Sequence, residues 1–76
     1  MSTAYILVQC APGVSRVSRE IAAIRGVLAT EDISGPYDVI VRAEARSLSE
    51  LASQVMKRIQ AIPGVMRTLT CPVPTL

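Results

Sequence analysis

Apolar residues follow a helical spacing in two segments of the chain and form short continuous runs in four others. In residues 14–24 and again in residues 48–62 they are spaced by three and four positions, which predicts two amphipathic helices. Four other runs are rich in Val, Ile and Leu, as is typical of β-strands. These runs are Tyr5–Cys10, Val27–Ser34, Asp38–Ala45 and Val65–Cys71. The predicted order is strand, helix, strand, strand, helix, strand.

Residues with special backbone preferences stand at the ends of the predicted helices. Ser47 and Glu50 form the S-x-x-E pattern of a capping box, which predicts the start of the second helix. Gly26 and Gly64 follow the two helical segments, where a residue that tolerates positive φ is common.

The element order predicts a single α+β domain over residues 1–76 with the ferredoxin-like βαββαβ topology. In this topology the sheet is antiparallel and four-stranded. Its first and third strands are central, and both helices cover the same face.

The first strand is apolar on both faces. Ala4, Ile6 and Val8 point one way, while Tyr5 and Leu7 point the other. A sheet with one wet face should instead alternate apolar and polar residues. Because the helices cover one face only, we expect the other face to pack against a second subunit and form a dimeric α+β barrel.

The predicted dimer interface includes Tyr5, Leu7 and Ile40. The alternative is that the C-terminal segment "CPVPTL", residues 71–76, covers this face within the same chain.

Composition argues against several other classes of function. The chain has net charge +2, its eight Lys and Arg residues are scattered, and its only aromatic residues are two tyrosines, so no direct nucleic-acid binding is expected. No segment approaches the ~20 apolar residues of a membrane span, and the N-terminus lacks the features of a signal peptide. Cys10 and Cys71 have no C-x-x-C spacing and are predicted at opposite ends of the strand ladder, so we expect free thiols in a cytoplasmic protein.

The sequence contains no recognisable set of catalytic side chains. The chain contains no histidine, and the adjacent Glu31 and Asp32 point to opposite faces of a strand, so they cannot act as a paired acid and base. We therefore expect no enzyme, no catalytic residue, no metal site and no cofactor. A dimeric α+β barrel enzyme of the monooxygenase or isomerase type remains the alternative, and a ligand-free assembly module is a third possibility.

Three short motifs occur in a recognisable order: G-x-Y-D at Gly35–Asp38, "IPGV" at Ile62–Val65 and T-x-T at Thr68–Thr70. Together with the flanking segments, they resemble the C-terminal effector-binding domain of the Lrp/AsnC family, also called the RAM domain. The family usually carries an N-terminal helix-turn-helix. Because the resemblance here begins near the start methionine, we expect a stand-alone version without its own DNA-binding domain.

The resemblance implies a function and an assembly. Domains of this family pair through their sheets into dimers, and dimers assemble further into rings, commonly octamers, with amino-acid effectors between neighbouring dimers. This chain is accordingly expected to bind an amino acid and form a homo-oligomer. It would act on transcription indirectly, by co-assembly with full-length Lrp/AsnC relatives.

The loop Gly35–Asp38 is the predicted ligand-binding segment. The N–H groups of Gly35 and Tyr37 could receive a carboxylate, Pro36 stiffens the turn, and Asp38 could accept an ammonium group. The aromatic ring of Tyr37 is expected at a subunit boundary. Ordinary hairpin chemistry is the alternative explanation, because aspartate often bonds to nearby backbone N–H groups in turns.

Thr68 and Thr70 lie on one face of the fourth strand and could complete a polar ring around the ligand. The resemblance associates these T-x-T residues with ligand contact. The alternative is structural, since threonine is common in strands.

Overall fold

Four antiparallel β-strands form the sheet of the computed structural model, which describes residues 1–74 of the chain. The strands are β1 (Ser2–Cys10), β2 (Val27–Asp32), β3 (Val39–Ala45) and β4 (Val65–Pro72). Their order is β2-β3-β1-β4, so β1 and β3 are central and the predicted ferredoxin-like α+β fold is confirmed.

The strands differ from the predicted ones only at their ends. β1 begins at Ser2, three residues early, because Ser2 pairs with Ala45 of β3. β2 ends at Asp32 and not at Ser34, since the hairpin loop to β3 begins there. β4 extends to Pro72, which pairs with Ala4.

The helical segments lie where the apolar spacing predicts them, but the first is short. Helix α1 spans Val17–Ala22. The second helical stretch, residues 48–60, consists of α2 (Leu48–Leu51), a π-helical segment (Ala52–Met56) and α3 (Lys57–Gln60).

Val14 was predicted within the first helix but lies in a turn before it. The N–H of Val14 donates to the carbonyl of Ala11 at 3.2 Å, and Arg16 adopts a left-handed conformation with φ 71°. Helical geometry starts only after Arg16, because a left-handed residue interrupts the right-handed spiral.

The helices cover one face of the sheet, termed here the covered face. Its β1 and β3 residues are almost completely buried against apolar side chains from both helical stretches. The buried core comprises Ala4, Ile6, Val8, Val17, Ile21, Val39, Val41, Ala43, Leu51, Val55 and Ile59. The side of β1 that carries Ile6 is therefore the one packed beneath the helices.

The opposite face, termed the open face, has an apolar centre. Leu7 pairs with Ile40 on one side and with Leu69 on the other, so the three side chains form a row across the sheet. Tyr5 is 41% exposed and Leu69 is 46% exposed. Both observations agree with the prediction that the chain's own helices leave this face uncovered.

The C-terminal segment follows the edge of the sheet as far as it is described. The N–H of Val73 donates to the carbonyl of Thr3 at 2.9 Å, which continues the pairing of β4 with β1. Residues 71–73 thus extend the sheet, while Thr75 and Leu76 of the segment proposed to cover the open face lie outside the described residues.

Cys10 and Cys71 are both free thiols, as predicted. Cys10 lies opposite Val65 and Cys71 opposite Tyr5, which places them at different ends of the β1–β4 ladder. In residues 1–74, no helix is long and apolar enough to cross a membrane.

Candidate functional site

The loop Gly35–Asp38 closes the hairpin between β2 and β3. The N–H of Ile33 donates to the carbonyl of Asp38 at 2.9 Å, across the neck of the loop. The N–H of Asp38 donates in turn to the carbonyl of Val8 on β1, also at 2.9 Å. The loop is therefore a hairpin, as predicted, and its end is joined to the central strand β1.

Side chains reinforce this attachment. Asp38 Oδ2 accepts a hydrogen bond from the N–H of Cys10 at 2.7 Å. Gln9 Nε2 donates to the carbonyl of Pro36 at 3.3 Å. These polar contacts to two adjacent β1 residues supplement the stiff proline and restrict the conformation of the loop.

A cleft of about 520 Å³ lies beside this loop, at the end of β1. Its walls come from the hairpin loop, from the end of β1 and from the segment between β1 and α1. Of the predicted ligand-binding residues, Gly35, Pro36 and Asp38 line it. The half-buried Tyr37 belongs to the same loop but is not part of the cleft wall.

The cleft contains charges of both signs. Arg16 lines it from the start of α1, while Asp32 and Asp38 line it from either side of the hairpin loop. Burial raises the pKa of the Cys10 thiol, and the carboxylates of Asp38 and Asp32 raise this pKa further. Both carboxylates therefore contribute negative potential at the same end of β1.

Thr68 and Thr70 lie on the covered face of β4, opposite Val8 and Ile6 of β1. Gln60 Nε2 donates to Thr68 Oγ1 at 3.2 Å. These two threonines share a face, as predicted, but within one chain they lie across β1 from the hairpin loop.

Each threonine also has a partner on the second helical stretch. Thr70 Oγ1 donates to the sulfur of Met56 at 2.6 Å. Thr68 lines a separate cleft of about 170 Å³ with Gln60 and Met66. One chain therefore does not bring the threonines together with Asp38.

Three further residues line the cleft but are not among the ligand-binding residues predicted from the sequence: Gln9, Arg16 and Asp32. The signal for Asp32 was present, because it ends a strand next to the predicted loop. Arg16 gave no comparable signal, because it lies far from the loop in the sequence and joins the cleft only through the fold.

Within residues 1–74, no group of three or more His, Cys, Asp and Glu side chains is arranged to hold a metal ion. The polar groups of the cleft include backbone amides, carboxylates, hydroxyls, the Gln9 side-chain amide, the Cys10 thiol and one guanidinium. Such groups can bind a small zwitterion through hydrogen bonds and charge pairing.

One relative in sequence is an enzyme. The chain is 42% identical over 69 residues to the homocitrate synthase of Sulfolobus acidocaldarius, an alignment that covers 88% of this chain and 14% of the enzyme. The chain thus spans about one seventh of the length of this relative, and the similarity concerns a small part of it.

Solved structures share the complete fold. FFRP-DM1 superposes with a TM-score of 0.88 at 31% identity, covering 97% of this chain and 100% of that one. The transcriptional regulator NMB0573 from Neisseria meningitidis, solved as a complex with L-Met, superposes with a TM-score of 0.68 at 15% identity. That match covers 97% of this chain and 50% of the regulator, and at this identity it shows the fold alone.

The family assignment follows from a match along nearly the whole chain. Residues 3–73 match the sequence model of the Lrp/AsnC ligand binding domain. Apart from Ser2, the first residue of β1, the matched range contains all four strands, both helical stretches and the loop beside the cleft. The chain belongs to the Lrp/AsnC ligand-binding domain family.

Proposed function

We propose that this protein is an oligomer-forming regulatory domain that binds an α-amino acid in the cleft beside Gly35–Asp38. The observation that carries the proposal is the cleft itself, in which a preorganised loop stands next to charges of both signs. Its volume of about 520 Å³ lies within the range of small-molecule sites. The L-Met complex of NMB0573 supports an amino acid as the class of ligand.

Each part of a free amino acid has a counterpart in the cleft. The ammonium group faces the carboxylate of Asp38, which is held in place by the N–H of Cys10. The carboxylate faces Arg16 and the N–H groups of the loop at Gly35 and Tyr37. In this proposal, Thr68 and Thr70 contact the ligand only where another subunit brings them to the cleft, because in their own chain they face the second helical stretch.

The open face supports assembly. Its apolar row of Leu7, Ile40 and Leu69 would be buried if two sheets packed face to face, which gives a dimeric α+β barrel. We propose this dimer as the basic unit, with dimers assembling further into an octamer-like ring. The two free thiols favour a reducing compartment such as the cytoplasm.

We infer that the domain regulates a partner and is not itself a catalyst. The chain has no histidine, and the family is defined by ligand binding. One candidate partner is a full-length Lrp/AsnC transcription regulator, which the domain would join through the open face. No contact of its own with DNA is part of this proposal, since its basic residues are scattered.

A second candidate partner is a metabolic enzyme. The specific observation in its favour is that a segment of homocitrate synthase is 42% identical to this chain, whereas the transcriptional regulator NMB0573 is 15% identical. A domain of this kind is therefore compatible with control of enzyme activity as well as of transcription.

A thermal-shift screen of the common L-amino acids tests ligand binding. An effector at a hundredfold excess over its Kd should raise the free energy of unfolding by about 2.7 kcal/mol. Asp38→Asn should abolish most of this gain, because it removes the charge that faces the ammonium group. Glu20→Gln removes the same charge from an exposed helical position outside the cleft and should retain the gain. If no amino acid at millimolar concentration stabilises the parent protein, the ligand-free assembly module is the better description.

A further inference from the structure

The charge of the cleft is unbalanced. Among the described residues that line it, three are charged: Arg16 is positive, and Asp32 and Asp38 are negative. A neutral α-amino acid carries one carboxylate and one ammonium group, so it pairs with the guanidinium and with one aspartate only. One carboxylate of the cleft is then left without a cationic partner.

Asp32 is placed to act on a ligand in this cleft. It lies opposite the buried Val39 in the β2–β3 register, so its side chain is on the covered face, toward the segment that begins α1. Its neighbour Glu31 lies opposite Ile40 and therefore points to the open face. Of these two adjacent acids, only Asp32 lines the cleft.

The carboxylates of Asp38 and Asp32 also influence the same group, the Cys10 thiol. Both carboxylates raise the pKa of the Cys10 thiol, after the larger effect of burial. Cys10 itself lines the cleft, so the negative potential of both groups extends into the space that a ligand would occupy.

We infer that the cleft prefers an α-amino acid with a cationic side chain. This inference rests on the proposed function and specifies its class of ligand. The carboxylate of the ligand faces Arg16, its α-ammonium group faces Asp38, and its side-chain cation faces Asp32. The ligand then has net charge +1 and the charged residues of the cleft sum to −1.

Other ligand classes fit this arrangement less well. A neutral side chain of the same length would partly desolvate Asp32 without giving it a partner, which is unfavourable. An acidic side chain would add a third negative charge beside two carboxylates. The expected order of affinity is therefore cationic first, neutral second and acidic last.

Calorimetric titration with three probes tests this order: L-lysine, L-norleucine, which has the lysine chain without its terminal ammonium group, and L-glutamate. We expect the parent protein to bind L-lysine about two- to fivefold more tightly than L-norleucine, through an added charge pair that solvent partly screens because Asp32 is exposed. Asp32→Asn should remove most of this difference, because it weakens L-lysine binding and relieves the desolvation cost that L-norleucine meets at Asp32. Glu20→Gln, which removes an equal charge away from the cleft, should keep the preference.

The outcomes separate this inference from the proposed function. If L-norleucine binds as tightly as L-lysine, or if Asp32→Asn keeps the full preference for L-lysine, the inference is overturned while amino-acid binding stands. If the screen of common amino acids also finds no ligand, the proposed function fails and the inference fails with it.

Discussion

Asp38 has a structural role that is independent of any ligand. Its carboxylate accepts the N–H of Cys10 at 2.7 Å, while its backbone bonds to Ile33 and Val8. A residue that fixes a loop in this way can also present its charge to a bound molecule. Ordinary turn chemistry and ligand recognition, which the sequence offers as alternatives, are therefore compatible at this position.

Asp38→Ala should destabilise the protein by about 0.5–1.5 kcal/mol, because the N–H of Cys10 loses its acceptor at a site that water can reach. Asp38→Asn should cost less, since the amide oxygen can still accept this bond. Urea unfolding followed by circular dichroism measures both changes. Equal stability of Asp38→Ala and the parent would show that the bond contributes nothing to folding.

The reactivity of Cys10 reports the electrostatics of the cleft. Its thiol has a raised pKa because of burial and then of Asp38 and Asp32, and the thiolate is the form that alkylating reagents attack. Removing a negative charge lowers the cost of forming the thiolate. Asp32→Asn should therefore move the pH midpoint of Cys10 alkylation to lower pH.

The measurement is the rate of iodoacetamide modification against pH, followed by mass spectrometry. A Cys71→Ser background leaves Cys10 as the single thiol, since the chain has two cysteines. Glu20→Gln serves as the control and should keep the parent midpoint. An unchanged midpoint in Asp32→Asn would contradict the placement of Asp32 near the thiol.

At the scale of elements, the start of the second helical stretch is defined by Ser47. Its side-chain oxygen accepts the N–H of Glu50 at 3.1 Å, the first of the two bonds of a capping box. The stretch then continues through a π-helical segment, Ala52–Met56, to Gln60. The cap matters because this stretch supplies Leu51, Val55 and Ile59 to the core.

Ser47→Ala should lower the free energy of unfolding by about 1 kcal/mol, through loss of the N-cap bond. Ser49→Ala is the matched control, because it lies two residues later within α2 and alanine favours a helix interior. Thermal or urea unfolding distinguishes the two variants. Equal effects of both substitutions would contradict a capping role for Ser47.

The elements differed in how well they could be predicted. Strand positions and the second helix followed from apolar spacing and from the Ser47 signal, because both depend on local sequence. The start of α1 could not be predicted, since it is set by the left-handed Arg16. The π-helical segment could not be predicted either, because the spacing of apolar residues distinguishes only helix from strand.

At the scale of the whole molecule, the topology followed from element order, but the composition of the cleft did not. Gly35, Pro36 and Asp38 could be identified because they are adjacent in sequence. Arg16 and Asp32 join them only through the fold, at a separation that no local motif reports. The same limit applies to Thr68 and Thr70, whose bonding partners come from the second helical stretch.

The proposed dimer depends on the open face and is testable through one of its leucines. Leu69 is 46% exposed and lies in the apolar row with Leu7. Leu69→Glu would place a charge between two stacked sheets, where burial without a partner is unfavourable. We therefore expect Leu69→Glu to shift the protein to a monomer at micromolar concentration, as measured by analytical ultracentrifugation.

Leu48 offers a control of nearly equal exposure. It is 49% exposed and lies at the start of α2, where a glutamate is tolerated because negative charge is favourable near a helix N-terminus. Leu48→Glu should therefore remain in the oligomeric state of the parent. Both variants should be folded by circular dichroism, since neither side chain belongs to the buried core. A folded Leu69→Glu that sediments like the parent would show that the open face is not the dimer interface, and the contacts between subunits would then have to be sought on the helical side or the sheet edges.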